Sequence, residues 1–310
     1  MNGPVVAAAT SSPALRITGL VKDYGRVHAV RGIDLEVRRG EVFGFLGPNG
    51  AGKTTTIRCI LDLLRPTAGR IEVLGLDTRR DGVALRGRVA YMPGELRFPE
   101  RQTGHGIVSA IARLRGGLDE RRRDALAERL VLDLGRRVRD LSSGNRRKLA
   151  LLLAFLSDAE VLVLDEPTNG LDPLLQREFL RMVRETRNAG RTIFLSSHVL
   201  SEVQRAADRV AVLRAGSIVA LGSVEELRGR ARQRVEVWFR GEPPAAELEG
   251  VPGLTDRLIE GNRLAAVLSG PVQPLLEVLG RHPVLSLLVE EPDLEDAFLD
   301  LYDGASRGVA

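Results

Sequence analysis

The first chemistry legible in this sequence lies in eight residues, Gly47, Pro48, Asn49, Gly50, Ala51, Gly52, Lys53 and Thr54, "GPNGAGKT". They match G-x-x-x-x-G-K-[ST], a loop whose backbone N–H groups turn inward on phosphate. The glycines let the chain curl, and the helix expected behind them adds a field that favours anions. Lys53 supplies a compact positive charge for β- and γ-phosphates, a role that arginine's wide fork fits less well. Thr54 offers its hydroxyl to Mg²⁺. A second pair stands in "VLVLDEP", where an apolar run delivers Asp165 and Glu166 to a strand end. Ligands bind at such ends in open α/β sheets. Asp165 is placed to hold Mg²⁺ through water, and Glu166 to orient or deprotonate a water that attacks the γ-phosphate.

A third stretch is "LSSGNRRK", Leu141 to Lys148, followed by "LALLLAFL". Locally it is a polar turn that caps a buried helix, with Ser142, Ser143, Gly144 and Asn145 opening that helix. A helix N-terminus with a hydroxyl and free N–H groups is also an anion site. Only Lys22, Lys53 and Lys148 are lysine, against 45 basic residues in all. In so arginine-rich a chain, Lys53 and Lys148 call for a chemical explanation. Lys148, one turn into the helix, is expected to add to the anion field or to anchor the loop.

These groups need strands and helices to hold them. "ALRITGLVKDYG" and "VHAVRGIDLEVRRG" alternate apolar and polar residues, as half-exposed antiparallel strands do. "EVFGFLG" is a short apolar strand, and Thr54–Leu64 a helix with Ile57, Ile60, Leu61 and Leu64 on one face. "RIEVLG" and "RVAYMP" predict further strands. From about Gly94 to Asp140 the pattern is helical and rich in charge, and Arg146–Ser157 is helical and apolar nearly all round. "EVLVLDEP" predicts a doubly covered parallel strand. A helix over Pro173–Asn188, the strand "RTIFLSS", a helix over Val199–Ala207 and the strands "RVAVLRAG" and "SIVALG" follow. Strands alternating with helices predict a mainly parallel α/β core. Beyond a charged stretch at Leu227–Gln233, "VEVWF", "LAAVLSG" and "VLSLLVE" predict strands, and "VQPLLEVLG" and "DLEDAFLDLYD" helices. That makes a second domain small but large enough to fold.

Composition excludes several classes. Of 310 residues, 44% are hydrophobic and 28% charged, with a net charge of +4, an ordinary globular balance. No block of like charge suggests a nucleic-acid arm. The arginine runs at 121–123 and 136–139 predict solvated faces. Cys59 is the single cysteine; it falls in an apolar helical pattern and is expected to be a buried thiol. Residues 1–13 predict a flexible tail, lacking the basic and apolar regions of a signal peptide. Leu149–Leu156 is the longest uncharged apolar run, far short of the ~20 residues a membrane helix needs. A soluble chain in a reducing compartment is the expectation.

"GPNGAGKTT", "LSSGN", "LVLDEPTNGLDP" and "LSSH", in this order, resemble the nucleotide-binding subunits of ABC transporters. The resemblance covers about residues 14–225. It implies a P-loop NTPase, RecA-like and mainly parallel, with an N-terminal antiparallel β subdomain. It places a helical subdomain at about 94–157 in an ATPase domain of 14–227, with a small α+β accessory domain at 234–304. It also implies two ATPase domains paired head to tail, each ATP lying between one phosphate loop and the other subunit's signature segment. Carried over by position, Tyr24 would stack on adenine and Gly47 to Thr55 would bind phosphates. Ser142, Ser143, Gly144 and Asn145 would face the partner's ATP. Asp165 would serve Mg²⁺, Glu166 would be the catalytic base, Asp172 would lie in the loop that crosses the dimer, and His198 would contact the γ-phosphate. His28, His105 and His282 are expected to be structural.

Two positions depart from the family. LSGGQ reads Leu141-Ser142-Ser143-Gly144-Asn145, and the glutamine after "VAYMP" is replaced by Gly94. The second change bears on a side-chain ligand to Mg²⁺ and on the usual link to the membrane partner; Gln102 is not expected to substitute. These departures, with "EEPDLEDAFLDLYDG", resemble the branch serving bacterial drug and antibiotic exporters. That implies a separate integral membrane permease, a second ATPase subunit forming a homodimer, a place on the cytoplasmic face of the membrane, and no nucleic-acid partner. An import ATPase, a soluble ABC ATPase acting on nucleic acid or ribosomes, and a nucleotide-regulated binding module are the alternatives. One phosphate loop, no heptad run and no cysteine cluster count against the soluble class.

Overall fold

The computed structural model describes residues 12–117, 119–229 and 233–290. Most of the tail expected at 1–13, the C-terminal helix expected in "DLEDAFLDLYD" and the end of the accessory domain at 304 lie outside the described residues. The chain divides into two compact units, Met1–Leu221 and Gly222–Ala310.

The first unit opens with β1 (Leu15–Tyr24), β2 (Val27–Val37), β3 (Val42–Leu46), α1 (Lys53–Ile60), β4 (Ala68–Val73), β5 (Leu76–Asp77) and α2 (Gly82–Arg86). It continues through β6 (Val89–Met92), α3 (Gly104–Arg115), α4 (Glu120–Arg129), α5 (Ser143–Leu156), β7 (Val161–Asp165) and α6 (Pro173–Asn188). β8 (Thr192–Ser197), α7 (Leu200–Ala206), β9 (Arg209–Arg214) and β10 (Ser217–Ser223) complete it. Among the described residues, one sheet has the order β2-β1-β4-β5, and its described pairs are antiparallel. The other has the order β10-β9-β3-β8-β7-β6. There β9, β3, β8, β7 and β6 run parallel. β10 returns through the two-residue turn Ala215–Gly216, which only an antiparallel pair permits. Both turn residues have positive φ, 45° and 84°, as a tight hairpin requires.

β3, β7 and β8 are buried at every position, which is why their sequences read as unbroken apolar runs. β1 and β2 have one face in the core, through Leu15, Ile17, Ile33, Leu35 and Val37. α6 buries Leu175, Phe179, Met182 and Val183, a 3.6-residue stripe. Phe155 of α5 meets Phe179 edge-on, with ring centroids 6.1 Å apart. No helix of the described residues is long and apolar enough to cross a membrane.

Some element ends differ from expectation. α1 stops at Ile60 rather than Leu64, because Asp62 takes a left-handed φ of 52°. α5 begins at Ser143, within the Ser142–Asn145 opening expected for it, and the Ser142 side chain caps the Asn145 N–H. The arginine run at 136–139 lies at a short 3₁₀ turn, Val138–Asp140, rather than on a helix. Between Gly94 and Asp140 the helices occupy only α3 and α4.

The second unit holds α8 (Val224–Gly229), β11 (Gln233–Phe239), α9 (Ala245–Glu249), β12 (Leu254–Glu260), β13 (Arg263–Leu268), α10 (Gln273–Leu279) and β14 (Val284–Glu290). From β11 onward this is a β-α-β-β-α-β arrangement, with antiparallel strands in the order β12-β13-β11-β14. Val235, Val237, Phe239, Leu264 and Leu268 form its core with Leu248 of α9 and Leu275 and Leu279 of α10. The sequence reading missed β12. It buries only Leu254 and exposes its other six residues, so it carries no alternating signal.

Candidate active site

Three loops converge because three strands end level. Leu46 of β3 pairs with Ser197 of β8, and Ser196 pairs with Asp165 of β7. The next residues are Gly47, His198 and Glu166. Parallel register alone therefore brings the phosphate loop, the histidine and the carboxylate to one sheet edge.

The loop needs its glycines for close approach. A Cβ on Gly47 would stand 2.4 Å from the Leu213 carbonyl oxygen, and one on Gly52 would stand 2.4 Å from that of Ala29. Pro48, Asn49 and Gly50 are exposed at the tip, whereas Ala51 is buried. Lys53 is only 6% exposed. Its Nζ donates to the carbonyls of Gly47 at 2.6 Å and Pro48 at 3.3 Å, and lies 3.2 Å from Glu166 Oε1. That last contact lacks hydrogen-bond geometry: Glu166 Oε1 is buried with no hydrogen-bond partner. A buried polar atom left so calls for a ligand or water. Thr55 follows on α1, half-buried.

Thr54 Oγ1 donates to Asp165 Oδ2 at 2.9 Å, and the Ser196 hydroxyl donates to Asp165 Oδ1. Asp165 is 1% exposed. Glu166 has a left-handed φ of 49°, and its N–H donates to the Ser196 carbonyl at 3.1 Å. Its Oε2 lies 2.7 Å from His198 Nδ1. The Thr54 hydroxyl beside the buried Asp165 carboxylate is an all-oxygen pair suited to a hard cation such as Mg²⁺. Among the described residues no group of three or more His, Cys, Asp or Glu could hold a metal ion. A cavity of ≈ 640 Å³ beside these groups is lined by Thr54, Tyr91, Gly94, Asp165 and Glu166 among others. Burial, reinforced by the Asp165 charge, pushes the Tyr91 hydroxyl up to about 12.

The signature residues do not line this cavity. Ser142 and Ser143 are exposed, and Gly144 and Asn145 partly so. Ser142 Oγ accepts from the Asn145 N–H at 3.2 Å, which leaves its own O–H free in direction. A Cβ on Gly144 would sit 3.6 Å from the Gly170 carbonyl, so this helix end adjoins the "NGLDP" loop. There Asp172 caps α6, accepting from Leu174 and Leu175 at 3.0 Å. Tyr24 stands at the turn end of the β1–β2 hairpin, 47% exposed, with Lys22 Nζ 5.1 Å from its ring centroid.

Sequence reasoning did not single out Arg147. Lys148 Nζ donates to the Val131 carbonyl at 3.3 Å and so anchors the chain after α4. Arg147 reaches the site instead, donating to the carbonyls of Glu166 and, at 3.1 Å, Gly94. Helical spacing held the signal, since Arg147 follows Gly144 by three and Ser143 by four, on one face. His28 pairs with Asp23 and His282 with Glu247. Gln102 pairs its backbone with Pro99 and Val138 before α3.

Residues 30–169 match the family described as ABC transporter. Over 304 residues the chain is 40% identical to the daunorubicin resistance ATP-binding protein DrrA3 of Streptomyces coeruleorubidus, spanning 93% of this chain and 95% of that one. The chain belongs to the ABC transporter family. It is also 31% identical to the bacitracin transport ATP-binding protein BcrA of Bacillus licheniformis, across 96% of this chain and 100% of the other. A solved ATP-binding subunit of an ABC transporter superposes with a TM-score of 0.64 at 29% identity, covering 69% of this chain and 92% of that one. This ABC ATPase binds ATP and hydrolyses it. The antiparallel β sheet, the parallel core and the helices between β6 and β7 are the family's architecture.

Proposed function

We propose that this ABC ATPase pairs head to tail with a second copy around two ATP molecules and powers a separate membrane permease that exports a drug or antibiotic. The carrying observation is the exposed start of α5. Ser142 and Ser143 are exposed there, and the Ser142 side chain caps the Asn145 N–H, while the phosphate loop and carboxylates meet at the strand ends. An anion-binding helix end with no phosphate of its own to bind is half a site.

In this reading Gly47 to Thr55 hold the phosphates and Lys53 offsets the β/γ charge. Tyr24 stacks on adenine. Thr54 and Asp165 hold Mg²⁺, which when bound neutralises charge on the phosphates. Glu166 orients or deprotonates the attacking water, and His198, bonded to it, fixes its direction and contacts the γ-phosphate. Ser142, Ser143, Gly144 and Asn145 complete the partner's site, and Asp172 lies in the loop between the two. Residues 14–227 form the ATPase domain, with about 94–157 as its helical subdomain, and 234–304 the accessory domain. ATP closes the pair, hydrolysis and product release open it, and the permease follows on the cytoplasmic face of the membrane. Relatives named for daunorubicin resistance and bacitracin transport support the cargo class.

Replacing Ser142 by arginine tests the reading. Loss of ATP hydrolysis with ATP binding retained supports a composite site; full activity in this variant contradicts it.

A further inference from the structure

Arg147 has no part in the roles above, yet it touches two of the segments that build the site. Its half-buried guanidinium donates to the carbonyl of Glu166 and to that of Gly94 at 3.1 Å. Glu166 is the residue with φ of 49°, a backbone state that a non-glycine residue keeps only when its surroundings enforce it. Two anchors do so. One is Ser196 of β8, which takes the Glu166 N–H. The other is Arg147 of α5, which takes the Glu166 carbonyl. Gly94 is the wall against Asp165; a Cβ there would lie 3.5 Å from Asp165 Oδ2. The turn after β6, the turn after β7 and the first turns of α5 are therefore gathered on one side chain. A planar fork suits that task, because its N–H groups leave in fixed, divergent directions; a lysine ammonium has no such fork.

We propose that Arg147 is a positioning residue that couples α5, the helix facing the partner's nucleotide, to the catalytic Glu166 of its own chain. The inference rests on the composite-site reading. When α5 seats on the partner's phosphate, any shift of the helix passes through Arg147 to the Glu166 carbonyl, and from there to the carboxylate. Hydrolysis in one site then depends on engagement at the other.

The test uses the full chain with Arg147→Ala and Arg147→Lys, measuring steady-state ATP hydrolysis, binding of a fluorescent ATP analogue, and thermal unfolding. Misplacing a catalytic group lowers kcat on the order of 10- to 100-fold for the alanine variant, with KM and analogue affinity within about twofold of wild type. The lysine variant recovers part of the loss. Unchanged kcat in the alanine variant overturns the proposal, and so does a kcat loss matched by equally weakened binding, which marks a merely structural arginine. If the alanine variant does not fold, the lysine variant decides: a reduced kcat at unchanged KM supports the coupling, and wild-type kcat overturns it. Activity that persists in Ser142→Arg strikes the composite site itself; activity lost there but kept in Arg147→Ala strikes only this inference.

Discussion

His198 Nδ1 stands 2.7 Å from Glu166 Oε2, and each residue occupies the first position beyond a neighbouring parallel strand. The pair follows from register: Ser196 of β8 lies opposite Asp165 of β7. The histidine holds the carboxylate proposed to meet the water.

Removing that hold should slow chemistry more than binding. His198→Ala is expected to lower kcat on the order of 100-fold, with ATP affinity changed little, as measured by steady-state hydrolysis and nucleotide titration. Wild-type kcat in this variant would mean that the contact is incidental.

Asp172 offers a stability prediction. It accepts from two N–H groups at the start of α6, so Asp172→Ala should cost about 1 kcal/mol. Asp172→Asn keeps an acceptor and should recover most of that. Urea midpoints of the three proteins check it.

Cys59 gives a pH prediction. Burial pushes its thiol up to about 11, with Lys22 opposing weakly, against about 8.5 in an unfolded chain. The folded state favours the neutral thiol, so this stabilising contribution is complete below about pH 8.5 and falls away as pH rises towards 11. In native protein at pH 8 a thiol reagent should label Cys59 slowly, and in denaturant rapidly. Fast labelling of the native protein would contradict the burial.

These residues also show what sequence reveals and what it hides. Gly47 to Thr54 and Asp165–Glu166 were legible because the chemistry demands particular residue types at fixed spacing and β3 and β7 are apolar throughout. α6 was legible to its ends because Asp172 caps it and Pro173 opens it. Arg147 was hidden. Its importance lies in which carbonyls its helix face meets, and those belong to turns 53 and 19 residues away. Rarity pointed to Lys148, and rarity says nothing about direction. β12 was missed because an exposed edge strand has no face pattern to read. The left-handed backbone at Glu166 is likewise invisible in "LDEP", since it is enforced by Ser196 and Arg147 rather than by local preference.

In the proposed cycle two copies close around ATP, each lending its Ser142 end to the other's phosphate loop. Its most direct test is the association state of Glu166→Gln, which keeps the side-chain shape and removes the base. Sedimentation with Mg²⁺ and ATP should show a dimer, and without nucleotide a monomer. A variant that binds ATP yet stays monomeric at saturating nucleotide would contradict the account.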